Sequence, residues 1–237
     1  MKLAEKVILL LNGAAAISGG LHPNPNSNFR TLNESFELPL ERYGIKDRKA
    51  SGQIIDFINS DGHYEVSILL LQNYEPPILA CALNEILLNL AGDDLSTTST
   101  PTLLVPFIVP ESKLKQQHKC PVTSDKVSIY GIELGPTTDL THSVSSRMQK
   151  PPPSLQIYHE DFSLLLHLLN VMKLPTVVLI GQSHISNKTL NEEHEVMFEI
   201  GEHLANVTSL SFSKEKMVQN PSKTSKDSEE AWRALYG

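Results

Sequence analysis

The feature that most limits what this chain can fold into lies in residues 155–183, where an apolar helix signal passes almost directly into an unbroken apolar strand signal. His159, Glu160 and Asp161 put two acids into the first turn of the helix, where the backbone dipole favours negative charge. The next eleven residues are apolar except Ser163, His167 and Asn170, which is too apolar all round for a surface helix. Lys173 supplies a cation at the helix end and Pro175 blocks its continuation. Thr176-Val177-Val178-Leu179-Ile180 then runs without polar alternation up to Gly181, so this strand is expected to be covered on both faces. A helix feeding such a strand is the logic of a parallel or mixed sheet held between helices.

A 237-residue chain can bury about 70% of its unfolded surface, enough for one sizeable α/β core. The expectation is a single domain, a mostly parallel or mixed sheet covered by helices. With 20 basic and 27 acidic residues and no basic cluster interleaved with aromatics, the chain is not expected to bind nucleic acid. No uncharged apolar stretch approaches the ~20 residues that span a bilayer, so no membrane partner is expected either. Cys81 and Cys120 are too few for a disulfide framework and read as reduced residues of a cytoplasmic or nuclear protein, Cys81 as a small core residue on a helix.

The rest of the chain builds on the same unit. Residues 7–11 read as a first buried strand rather than the core of a signal peptide, because the apolar run is short and Glu5 interrupts the charged segment. Gly13, Gly19 and Gly20 follow, but their spacing is neither the dinucleotide fingerprint nor a P-loop, and an ordinary turn is the expectation. Residues 29–49 scatter their apolar positions among charges and are read as irregular. Residues 66–71 are read as a strand and 77–90 as a helix with Pro77 in its first position and Gly92 as its left-handed cap. Residues 103–109 form a strand that Pro106 assigns to an edge or a bulge. Residues 111–126 read as an exposed loop, 127–134 as a further strand, and 135–154 as a long functional or disordered loop. The Thr189–Glu192 spacing is that of a capping box, and the helix after it carries the apolar stripe Val196, Ile200 and Leu204. The domain is expected to close at residue 212. Residues 213–228 read as a flexible tether within a tail, 213–237, that ends in Trp232, Leu235, Tyr236 and Gly237.

Gly181-Gln182-Ser183-His184 stands at a strand end, where an α/β hydrolase presents its nucleophile, and gives one functional reading: a small hydrolase or phosphorylase-like enzyme using Ser183. The elbow pattern is incomplete, since Ile185 stands where the second glycine belongs, and a base adjacent in sequence is not how most triads are assembled. A polar strand end is the simpler reading, and no catalytic residue is assigned. The nine histidines show no His-Glu-x-x-His and there is no close cysteine pair, so neither a metal site nor a cofactor is expected.

The strand–helix–strand at 64–109, the long polar insertion, the Tyr-His-Glu-Asp-Phe helix start with the Lys-Leu-Pro approach to the following strand, and the terminal Leu235-Tyr236-Gly237 together resemble a known family. It is that of the proteasome assembly chaperones, specifically the first member of the heterodimeric pair that builds the α-ring of the 20S particle. The resemblance covers about 64–202 and the tail. It implies a phosphorylase-like α/β fold, a non-catalytic chaperone role, and two partners: a second assembly chaperone and the 20S α subunits. Leu235-Tyr236-Gly237 matches the hydrophobic-tyrosine-any motif at the C-termini of proteasome-binding proteins. By this chain's own composition, 40% apolar with 6 tyrosines, such an ending arises by chance about 1% of the time, so it gains weight only on a polar tether and an α/β body. The implied chemistry is a tyrosine ring buried in an α-subunit pocket and a carboxylate paired with a lysine.

Overall fold

The computed structural model describes residues 2–92, 100–116, 127–183 and 191–219. Its first strand, β1 (Lys6–Leu10), is followed by a 3₁₀ turn (Asn12–Ala14), a one-turn helix α1 (Ile17–Gly20) and a short strand β2 (Leu21–Pro23). Two long strands come next, β3 (Arg30–Pro39) and β4 (Lys49–Ile58), then β5 (Tyr64–Leu71), helix α2 (Ile78–Ala91) and β6 (Thr102–Pro110). Beyond β6 the chain forms β7 (Leu114–Gln116), β8 (Ile129–Leu134), α3 (Asp139–Ser145), β9 (Leu155–Ile157), α4 (Glu160–Met172) and β10 (Thr176–Ser183). It closes with α5 (Asn191–Thr208), β11 (Leu210–Phe212) and α6 (Lys214–Gln219).

Seven strands form one mixed sheet in the order β3-β4-β5-β1-β6-β10-β8. The neighbours from β5 to β10 pair in parallel, while β3, β4 and β8 are antiparallel additions at the two flanks. Alternation along the parallel strands divides their side chains between two cores. Val7, Leu9, Val105, Phe107, Val178 and Ile180 meet α2 and α4 on one face, whereas Ile8, Leu10, Leu104, Val177 and Leu179 meet α1, α3 and α5 on the other. The molecule is therefore a single α/β domain, a mixed sheet between helices, as the apolar strands require.

Several elements differ from the expectation. Residues 29–49 are not irregular: they hold the ten-residue strand β3 and the start of β4, which pair from Arg30↔Ile58 to Pro39↔Lys49. β3 is an edge strand exposed at Thr31, Asn33, Ser35 and Glu37; on its other side Leu32 and Phe36 are half-buried and Leu38 is buried, but Glu34 interrupts that apolar alternation. The 135–154 span contains α3, closed by a reciprocal cap between Thr138 and Thr141, whose side chains each bond the other's backbone N–H at 3.1 and 2.8 Å. Threonine replaces the glutamate usual at the third helical position. α2 starts at Ile78 with Pro77 as its N-cap, and Gly92 takes a positive φ of 71° with an extended ψ of 134°, which is not the left-handed cap. α4 is not covered all round. Phe162, Leu165 and Leu169 are buried, Leu164 and Leu168 are half-buried, and Val171 is 60% exposed. The tether does not begin at residue 213, because Ser213 N–H donates to Gly20 O at 2.9 Å and Met217 of α6 is buried against the α1 and α5 face.

Close approach explains two glycines. A Cβ at Gly20 or Gly201 would overlap the Phe212 ring, which fills the space between α1 and α5. Gly201→Ala is expected to cost about 1–3 kcal/mol by overpacking, measured by denaturant unfolding, while Gly13→Ala, with no atom within 4 Å of the new methyl, shifts stability far less.

Asp56 is buried at 2% exposure and its carboxylate accepts one hydrogen bond, from Ser67 Oγ at 2.5 Å. Burial pushes its carboxyl above the ordinary value of 3.8; the Ser67 bond works against this and the charge on Glu34 adds to it. The folded chain thus holds this proton to higher pH than the unfolded chain, and its contribution to stability falls as pH rises through that interval. The difference in unfolding free energy between Asp56→Asn and the parent should therefore favour the variant more at pH 7 than at pH 3, as read from denaturant curves at both values.

Candidate functional site

Leu235, Tyr236 and Gly237, the residues with the strongest functional signature in the sequence, lie outside the described residues, as do His184 and Thr189. Ser183 is the last residue of β10 and its backbone still stands in the ladder, in register with Pro110 of β6. A hydrolase nucleophile sits instead on a sharp turn that leaves the strand. Among the described residues, no group of three or more His, Cys, Asp and Glu side chains is placed to hold a metal ion.

The structure brings other residues together at the C-terminal end of the parallel strands. β1 pairs with β6 only from Lys6↔Thr102 to Ile8↔Leu104, whereas β6 continues beside β10 as far as Ser183↔Pro110. β6 therefore overhangs its β1 neighbour by six residues, roughly 20 Å of strand. In a parallel ladder successive residues turn their peptide groups to opposite sides. Thr102 N–H donates to Glu5 O at 2.7 Å on the β1 side and Leu103 N–H to Pro175 O at 2.8 Å on the β10 side. By that alternation Pro106, Ile108 and Pro110 face the side that β1 has vacated. This resolves the proline expected at an edge or bulge: β6 is central in the sheet, yet the donor that Pro106 lacks would have pointed where no strand among the described residues receives it.

The notch left by this overhang is a crevice of about 150 Å³. Its floor is the 3₁₀ turn with Gly13 and Ala14, one wall is β6 at Pro106–Ile108, and Leu79 of α2 and Gln72 close another side. The last side is the start of α4. His159 is its N-cap residue, extended at φ −130° and ψ 119°, and makes no side-chain cap bond. Its ring stands edge-on to Phe107 at 5.0 Å, and Phe107 in turn contacts Phe162 at 4.9 Å. Nδ1 of His159 is buried and finds no hydrogen-bond partner among the described residues. Asp161 also lines the crevice, and among the described residues no Lys or Arg does. From sequence alone His159 and Asp161 were visible only as a helix start, Leu79 and Phe107 only as apolar positions of a helix and a strand, and Gln72 only as a loop residue.

A second feature lies on the outside of α4. No residue from Phe162 to Met172 is charged, and Leu164, Leu168 and Val171 recur at helical spacing on its partly exposed side. Tyr158, just before the helix, is 53% exposed with Lys115 Nζ 4.9 Å from its ring centre. Across the same layer, Glu85 of α2 is held by Arg42 Nη1 at 3.0 Å and Tyr43 OH at 2.7 Å. Cys81 on α2 is half-buried, and burial, followed by the charge on Glu85, pushes its thiol up and away from reactivity.

Comparison with solved structures finds the same fold elsewhere. Pyrococcus furiosus PbaA, described as an archaeal homolog of proteasome-assembly chaperone, superposes with a TM-score of 0.51 at 13% identity, covering 99% of this chain and 89% of PbaA. A Thermoplasma acidophilum protein of unknown function gives 0.50 at 12% identity over 98% of this chain and 88% of its own. A Mycobacterium tuberculosis protein of unknown function gives 0.50 at 12%, over 98% and 79%. Identities this low establish likeness of fold. No curated protein matches the chain. At the level of sequence, the family model for a domain of unknown function, DUF7894, matches residues 1–237, and the chain belongs to that family.

Proposed function

We propose that this protein is a proteasome assembly chaperone that works as one half of a heterodimer on the α-ring of the 20S particle. The observation that carries the reading is the fold, shared with PbaA over 99% of this chain. Two features of the chain support it. The uncharged outer stripe of α4 offers apolar area that a second assembly chaperone would cover. The terminal Leu235-Tyr236-Gly237 has the form of a C-terminal anchor for an α-subunit pocket, in which the tyrosine ring is buried and the carboxylate of Gly237 pairs with a lysine. The role is non-catalytic, and Ser183 serves as a strand residue.

Expressed alone, the chain should self-associate or be poorly soluble, and co-expression with the second assembly chaperone should yield a one-to-one complex by size-exclusion chromatography with light scattering. A well-behaved monomer indifferent to that partner would count against the pair. The tail adds its own affinity by holding the anchor at high effective concentration near the ring. Tyr236→Ala, or removal of Leu235, Tyr236 and Gly237, should weaken binding to α-rings about tenfold to a hundredfold and leave the melting temperature unchanged. One residue added after Gly237 should do similar damage, because it displaces the carboxylate and keeps every side chain. Undiminished binding by the extended chain would refute the anchor while leaving the chaperone assignment to the co-expression experiment.

A further inference from the structure

The crevice at the end of β1 lies where ligands bind in many α/β proteins, and its lining limits what it could take. In open α/β sheets the gap beyond the carboxyl ends of the strands, where neighbouring connections leave to opposite faces, is where ligands bind. That condition is met here: the connection from β1 passes to α1 on one face, whereas that from β5 passes to α2 on the other. The overhang of β6 then supplies a backbone edge that no strand pairs among the described residues.

Two kinds of occupant are disfavoured by that edge. An added strand from a partner needs alternating donors and acceptors, and Pro106 and Pro110 remove two of the three donors that would face it, leaving only Ile108 N–H. An anion would find the helix N-terminus already answered by Glu160 and Asp161, and no cationic side chain in the lining among the described residues. What remains is rich in acceptors: the carbonyls of Pro106 and Ile108 on the open side and the carboxylate of Asp161, with the His159 ring in the lining beside them. Leu11, Ala14, Leu79 and Phe107 make the remaining surface apolar, and a volume of about 150 Å³ admits one small flat molecule.

We propose that this crevice binds a small planar molecule carrying hydrogen-bond donors, an amine or amidine on an apolar ring, with the donors turned to Asp161 and the carbonyls of Pro106 and Ile108 and the ring against Phe107 and Leu79. The site is separate from the tail anchor and does not depend on the chaperone reading. The test is a titration of the full chain with benzamidine, following the ring resonances of His159 by heteronuclear NMR. Benzamidine should shift them saturably, with a Kd on the order of 1 mM for a ligand of this size. Benzoate and inorganic phosphate should leave them in place. Asp161→Asn should weaken benzamidine binding tenfold or more. Gly13→Phe, at a position whose added Cβ meets no atom within 4 Å, should abolish binding by filling the crevice, with the thermal melt confirming a folded chain. His159 signals unmoved by benzamidine, benzoate shifting them as strongly, or undiminished binding by folded Gly13→Phe would each overturn the proposal.

Discussion

The structure depends on two-sided burial of the parallel ladder. β1, β6 and β10 carry apolar side chains on both faces, so neither helix layer can be removed without exposing half of the strand residues to water. At roughly 25 cal/mol per Å² of apolar surface, that burial is the main favourable contribution to folding a domain of this kind. It also sets the positions of the helices. α4 must lie where Phe162, Leu165 and Leu169 meet Val178 and Ile180, and α5 must bring Val196 and Ile200 over Gly181, where an added Cβ would collide with them. The start of α4, and with it His159 and Asp161, is thereby fixed at the end of the sheet.

Polar groups inside this frame are few and mostly satisfied. Glu85 has its two donors, and Glu133 on β8 accepts from Thr141 at 2.6 Å and Ser145 at 3.2 Å, bonds that hold its carboxyl below the ordinary range. Glu133 therefore stabilises the fold at neutral pH and loses that contribution on acidification, opposite in sign to Asp56. Set beside these, Nδ1 of His159, without a partner among the described residues, stands out, because a buried polar atom ordinarily has one.

What the sequence disclosed follows from where residues are buried. β10 is buried from Thr176 to Gln182 and reads as a continuous apolar run; α2 has its stripe at Leu79, Ala82, Leu83, Ile86 and Leu90. β3 was illegible because Glu34 interrupts the series Leu32, Phe36 and Leu38 on the one covered side of an edge strand, and α3 because a Thr138–Thr141 cap differs from the familiar pairing with glutamate. The apolar composition of α4 was legible, but not that it leaves Val171 in solvent, which only the packing decides. The crevice was the least visible feature. It arises from where one register ends and another continues, and its trace in the sequence was a single residue, Pro106, in an otherwise apolar strand.

The proposed function divides the labour among three parts: the sheet with its helices, the uncharged outer side of α4, and the terminal Leu235-Tyr236-Gly237 as the proposed anchor. The most direct test of the assembly-chaperone account is isolation of the intact chain from its own cells under mild conditions, with quantitative mass spectrometry of what accompanies it. The account predicts 20S α subunits together with one second chaperone chain, and β subunits far below the stoichiometry of the finished particle. Isolation of the chain without α subunits would contradict it.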